Sequence, residues 1–148
     1  MIMSKNTAKQ GNGKAGIGPD VLPLFQDKNF AFVATLMPDG SPQITPTWVD
    51  IDEKNNYIII NTAKGRVKQK NVSRDSRVAV AIIDRNNPYH AATIRGRVVE
   101  QVTQGADPNI DKLAKKYLGV DKYPLRGPGE ERIMLKIKPD KVFHMKPQ

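Results

Sequence analysis

Six stretches of this sequence are rich in β-branched and aromatic residues, and turn chemistry separates them. "FAFVATL" and "QITPTWVDI" flank "PDGS", "YIII" follows "DEKNN", and "RVAVAIID" (77–84), "AATIRGRVVEQV" (91–102) and "ERIMLKIKPDKVFHM" come after. Gly, Pro, Asn and Asp at such breaks set hairpin connections. The first three runs therefore predict a three-strand meander, and "RNNPYH" predicts a polar connection between the fourth and fifth. In the last run Ile133, Leu135 and Ile137 alternate with charged or polar partners, as in a half-buried strand that ends at a proline. Six mostly antiparallel strands with few helices cannot cover both faces of an open sheet, so the economical solution is closure. The expected fold is mainly β, a small six-stranded antiparallel barrel.

Helical signals are few. In "GADPNIDKLAKKYLGV" the pair Asp107-Pro108 offers a cap followed by a first-turn proline. Ile110, Leu113, Ala114 and Tyr117 then share one face, and Gly119 marks the stop. In "DVLPLFQDK" Val21, Leu24 and Phe25 have helical spacing behind a possible Asp20 cap, and Pro23 confines the helix to a short docked piece. "GRVKQKNVSRDS" is polar apart from Val67 and Val72 and lacks strand alternation, which predicts a short helix between strands.

With 148 residues the chain fits one domain, and a domain of that size buries roughly two-thirds of the surface its unfolded chain exposes. The Gly-rich, Lys-bearing head lacks apolar content, so residues 1–19 read as a mobile tail and 20–148 as the folded domain. The absence of cysteine excludes a disulfide framework and thiolate metal sites, and two separated histidines make no metal site unaided. No stretch has the apolar length of a signal peptide core or a membrane span, which predicts a cytoplasmic location. Lys+Arg 24 against Asp+Glu 15 leaves +9, which favours an anionic partner: nucleic acid, acidic lipid or a phosphorylated ligand.

The cations concentrate in "NTAKGRVKQKN" (61–71), where a strand is expected to end. Taken alone, Lys64, Arg66, Lys68 and Lys70 read first as a solvated helix face and second as an anion site. Arg66 and Lys68 would diverge in mid-helix, yet at a helix entry they can converge as a planar fork and a point charge beside the exposed N–H groups. Trp48, the only tryptophan, suits either core or pocket. His90 and His144 show no partner in sequence and read as structural, while Arg126 in "YPLRGPGE" reads equally as a mouth-covering or a solubilising loop residue.

The ordered pieces "ATLMPDGSPQITPTWVD", "NTAKGRVKQKNVSRDSRVAVAI", "DRNNPYHAATIRGRVVE" and "KYLGVDKYPLRGPGEERIMLKIKPDKVF" together resemble the pyridoxamine 5′-phosphate oxidase-like split β-barrels. Within them the chain is most similar to the branch that uses the deazaflavin coenzyme F-420, and the resemblance runs from residue 21 to about 145. It implies an oxidoreductase in which the cofactor itself supplies the hydride from its C5, with no catalytic side chain and no metal, acting on a small-molecule substrate. FMN, held by related barrels in the same groove, is the alternative cofactor. The resemblance places Arg66 and Lys68 at the phosphate and Asn61 and Thr62 near the ring or ribityl chain. It makes Thr45, Pro46, Thr47 and Trp48 the second wall. It also implies a homodimer with the cofactor at the interface, to which Pro88 and Tyr89 of "NNPYH" reach from the second subunit.

Two readings of other classes stand beside it. A basic barrel could bind nucleic acid through phosphate contacts and stacking, but an aromatic content of 6% argues against a stacking platform. A carrier that holds a flavin-type ligand without turnover is the other.

Overall fold

The computed structural model describes residues 13–146. Seven strands form one antiparallel sheet: β1 (Ala31–Leu36), β2 (Pro42–Thr47), β3 (Asp50–Asp52), β4 (Tyr57–Ala63), β5 (Arg77–Asp84), β6 (Asn87–Val102) and β7 (Arg132–Met145). Their order in the sheet is β2-β1-β5-β6-β7-β4-β3. The edge strands β2 and β3 are consecutive in the chain and separated only by Trp48 and Val49. The sheet must therefore roll until its two edges meet at that corner, which is closure enforced by chain connectivity.

Alternation explains the interior. In β5 the side chains of Val78, Val80 and Ile82 are buried between exposed neighbours, and in β6 Ile94 and Val98 repeat the pattern. Ile58, Ile60, Leu135, Ile137 and Val33 complete a single core cluster. Among the described residues three helices plug and flank the barrel: α1 (Leu22–Gln26), α2 (Val67–Arg74) and α3 (Ala106–Leu118). Leu24 and Phe25 of α1 and Val72 of α2 join the core. Helix α3 lies on the outer side of β4 and β7 and buries Ile110, Leu113 and Ala114 there.

Several local expectations change. The run expected as one second strand breaks at Trp48–Val49, so the count is seven rather than six. The expected meander becomes two hairpins, β1–β2 and β3–β4, on opposite edges of the sheet. Residues 87–90 are not a loop, because β6 starts at Asn87 and the reversal is confined to Arg85 and Asn86. Strand β7 does not stop at Pro139; it runs through it, with Gly96 opposite and a register shift at Arg95/Gly96. A Cβ on Gly96 would run into the Lys138 carbonyl oxygen, so only glycine permits this approach.

Neither acidic cap forms. Helix α1 begins at Val21 without a side-chain cap, its first amides bonding back to the Gly18 carbonyl. Helix α3 is capped by Gly105 at φ 83, while Asp107 lies inside the first turn, where its charge suits the helix dipole. Gly119 closes α3 in the left-handed conformation, as its sequence position suggests.

Of the expected tail, residues 1–12 lie outside the described residues, and the rest is anchored. Lys14 exchanges two backbone hydrogen bonds with Val142, and the Asn56 side chain both accepts from the Ile17 N–H (2.7 Å) and donates to its carbonyl (3.1 Å). Ile17, the one large apolar residue there, is buried in the barrel core.

Candidate cofactor cleft

Strand β4 has two working faces. Ile58 and Ile60 join the core and Thr62, next on the same face, is buried, whereas Asn61 faces α3. After Ala63, Gly65 at φ 90 reverses the chain, and Arg66 in extended conformation becomes the N-cap of α2. That entry brings Arg66 and Lys68 to one hollow of about 260 Å³. Pro46, Thr47 and Trp48 reach it from the β2–β3 corner, Asn61 from β4, Ile110 from α3, and Tyr123 and Leu125 from the loop 119–131. Phe30 and Arg132 complete the lining.

Arg132 is the buried centre of this arrangement. It opens β7 opposite Ala63, is 4% exposed, and carries a charge that cannot be neutralised by deprotonation. Burial of such a charge demands partners. Its Nε donates to Asn61 Oδ1 (2.9 Å), its Nη1 to Glu130 Oε1 (3.0 Å), and its guanidinium lies 5.1 Å from the Tyr123 ring centroid. Asn61 is in turn fixed: its Nδ2 donates to the Ala106 carbonyl (2.8 Å) and to Asn109 Oδ1 (2.9 Å). Asn109 donates to Asp50 (2.9 Å), which also holds Lys112. A directed chain of hydrogen bonds thus ties the cleft cation to α3 and β3.

The same Glu130 oxygen accepts from Arg66 Nη2 at 2.7 Å. Lys68 has no acid within ion-pair distance among the described residues. Burial first, then the Arg66 and Arg132 charges, push its amine below the ordinary lysine range. Three cations against one carboxylate make a local positive field that a bound anion would relieve.

The apolar wall is equally braced. Trp48 stacks on Tyr117 with ring centroids 5.3 Å apart and meets Tyr123 edge-on at 5.9 Å. The Tyr117 hydroxyl donates to the Asn29 carbonyl (2.7 Å) and accepts from the Val49 N–H (3.2 Å); burial pushes it up to about 12. Lys116 Nζ donates to the carbonyls of Phe25 (2.7 Å) and Val49 (3.0 Å), and burial lowers it to about 8. These contacts pin the corner that presents Trp48.

The structure brings together Pro46, Thr47, Trp48, Asn61, Arg66 and Lys68 of the residues singled out in sequence. Thr45 sits outside the lining, paired with Val33. Thr62 points the other way, with its hydroxyl buried and unpartnered. Pro88 and Tyr89 lie at the beginning of β6, the end remote from Arg132, and are exposed. Asn61 donates both amide hydrogens, to Ala106 and Asn109, and accepts from Arg132 through Oδ1, so it positions the cation and has only that oxygen's second lone pair left for a ligand. Arg126 is tied to Asp107 (2.6 Å) and Asp111 (3.6 Å) and holds its loop to α3. His90 and His144, without visible partners in sequence, lie with rings 5.1 Å apart.

Arg132, Glu130 and Tyr123 escaped sequence reasoning. A charged residue at a strand start reads as solvated, and the burial comes from α3 and the 119–131 loop, which no local pattern reports. Larger hollows exist, notably a groove of about 450 Å³ along β1, β5, β6 and β7, but its lining is mostly apolar. Among the described residues no helix is long and apolar enough to cross a membrane, and no carboxylate–histidine cluster has metal-holding geometry.

Residues 17–146 match the pyridoxamine 5′-phosphate oxidase family. No curated protein matches the chain. Among solved structures, an F-420 reductase is 25% identical with a TM-score of 0.71, over 81% of this chain and 93% of that one. A conserved hypothetical protein from Mycobacterium tuberculosis is 17% identical (TM-score 0.67, 89% and 86% covered). General stress protein 26 from Bacillus anthracis is 14% identical (TM-score 0.63, 87% and 93% covered). The latter two likenesses concern the fold, a mainly antiparallel split barrel.

Proposed function

Because this chain belongs to the pyridoxamine 5′-phosphate oxidase family, whose members are mostly flavin- or F-420-dependent oxidoreductases, we propose that it is an oxidoreductase using the deazaflavin coenzyme F-420. The observation that carries the reading is the cluster of Arg66, Lys68 and buried Arg132 beside the braced Trp48 wall. A phosphate needs charge-assisted donors and a planar ring needs an apolar face, and both are present in one cleft.

Arg66 and Lys68 at the helix entry, with Arg132 beside them in the lining, would hold the phosphate. Trp48, Tyr123 and Phe30 would supply apolar surface for the ring system, and Pro46 and Thr47 would line its edge. When bound, the cofactor supplies hydride transfer at its C5 to a small-molecule acceptor. The chain's part is to bind, orient and exclude water, which matches a cleft without a nucleophile–base pair. Cations converging on one cleft, rather than spread along a groove, favour this over nucleic-acid binding.

We propose that a second subunit completes the cleft. Its volume of about 260 Å³ falls below the roughly 300–1,000 Å³ of ligand pockets. A homodimer supplies the missing wall in this reading, through the outer groove where Phe32 and Ile44 are 38% and 61% exposed. Pro88 and Tyr89 then serve the partner's cleft. FMN is the second reading, supported by the family match, since ring, ribityl chain and phosphate are common to both cofactors. Titrating the protein with F-420 and with FMN, followed by Trp48 fluorescence at two salt concentrations, tests the proposal. Preference for F-420 supports it, preference for FMN moves the protein to flavin chemistry, and binding of neither removes the cofactor assignment.

A further inference from the structure

Glu130 occupies an unusual position in the cation cluster. One carboxylate oxygen accepts from both Arg66 (2.7 Å) and Arg132 (3.0 Å), and the side chain is 9% exposed. Its other oxygen faces the Gly127 N–H at 3.4 Å. This acid belongs to a loop, not to the barrel: Gly127, Pro128 and Gly129 precede it, and neither glycine has any atom near where a Cβ would stand. The rest of the loop is tethered on both sides, by Arg126 to Asp107 and Asp111, by the Tyr123 N–H to Asp111 (2.8 Å), and by Lys64, whose N–H donates to the Glu131 carbonyl (2.9 Å) and whose amine pairs with the Glu131 carboxylate (3.1 Å). Glu130 is thus the carboxylate by which a glycine-rich segment holds the two cleft arginines.

We propose that Glu130 determines which anions the cleft accepts, by occupying the position between Arg66 and Arg132 that a ligand's phosphate must take. The inference rests on the cleft being a phosphate socket and adds the basis of its selectivity. A carboxylate brings one charge and two oxygens, and here a single oxygen serves both arginines while Lys68 receives nothing. A phosphate monoester, as in FMN, or inorganic phosphate brings nearly two charges and three strong acceptor oxygens, enough for Arg66, Lys68 and Arg132 together. Such a phosphate therefore displaces Glu130, whereas a ligand carboxylate would only exchange like for like, and the phosphodiester of F-420, with one charge and two free oxygens, competes less strongly than a monoester. Displacement frees residues 127–130, while Arg126 and Tyr123 keep the loop hinged on α3 and Lys64 holds Glu131.

The test compares wild type with Glu130→Gln, which keeps an acceptor oxygen of the same reach and removes its charge. Binding of inorganic phosphate and of acetate is measured by calorimetry. Glu130→Gln is expected to bind phosphate about tenfold more tightly or better, the scale of one lost charge-assisted competitor. Its preference for phosphate over acetate should also narrow. Independently of any variant, phosphate added to wild type should speed amide exchange at Gly127, Gly129 and Glu130. Unchanged or weaker phosphate binding by Glu130→Gln, or unchanged or slower exchange at Gly127, Gly129 and Glu130 with phosphate, overturns the proposal, since Glu130 would then be a fixed part of the socket. If phosphate behaves as expected but neither F-420 nor FMN binds, the selectivity device stands and the cofactor reading falls. If a cofactor binds while Glu130→Gln changes nothing, the reverse holds.

Discussion

The two ends of β7 bury titratable side chains in opposite ways. At its start Arg132 is 4% exposed and surrounded by Asn61, Glu130 and the Tyr123 ring. Near its end the His144 Nε2 is buried with no hydrogen-bond partner. Burial first and His90 second push that imidazole below the ordinary histidine range. The difference follows from what each group can do when desolvated. Arginine cannot shed its charge, so the fold must supply partners, whereas histidine can simply stay neutral. A buried charge with a built set of partners is the signature of a site, and an orphaned neutral ring is that of packing.

The sharpest way to break this contrast is Arg132→Ala. It leaves Glu130 and Asn61 without their buried partner, and removal of one member of such a pair is expected to cost about 3–5 kcal/mol. Urea unfolding measures it, and a cost as small as that of a surface substitution would make the two ends of β7 alike. Next in size is Arg66→Ala with Lys68→Ala, expected to weaken cofactor binding by about 2–4 kcal/mol. Its unfolding midpoint should stay close to wild type, because Arg66 is 52% exposed. The same socket predicts that affinity falls as pH rises through the lowered Lys68 pKa, since the neutral amine no longer attracts the anion. Weakening on acidification instead would contradict that assignment.

Asn109→Ala sharpens the comparison further along the chain of partners. It strips Asn61 and Asp50 of one bond each and is expected to cost about 1–2 kcal/mol. If the chain positions Arg132, cofactor affinity drops as well, and Asn109→Gln fails to restore it. The smallest effect belongs to His144. Its native pKa is below the unfolded value of 6.5, so below pH 6.5 the unfolded chain takes up a proton that the native state resists. Stability contributed by the neutral ring is complete above that pH and falls as pH drops toward the native pKa. His144→Phe should flatten this part of the pH–stability curve relative to wild type, and identical curves would remove the histidine from the account.

What was legible in sequence was whatever depends on local period and turn chemistry. The β5 alternation, the α3 face with its Gly119 stop, and the helix entry that converges Arg66 and Lys68 all follow from neighbours within a few residues. The split at Trp48–Val49 did not, because it is imposed by closure between strands at opposite edges. Asp107 looked like a cap, but Gly105 takes that place and Asp107 is drawn to Arg126 on a distant loop. Arg132 looked solvated because alternation sets it opposite Ile133, and only α3 and the 119–131 loop, packed on that face, make it interior. The missed site residues are thus those whose environment is built by long-range packing.

The central claim is that the cleft recognises a phosphate. The most direct measurement is the affinity of the protein for each ring system with and without its phosphate: the 5′-phosphate of the deazaflavin core of F-420 against that core, and FMN against riboflavin, in low salt. The account predicts that the preferred cofactor loses about a hundredfold or more in affinity without its phosphate, as loss of several charge-assisted bonds should cause. Equal affinity with and without the phosphate would show that Arg66, Lys68 and Arg132 serve another purpose, and would contradict it.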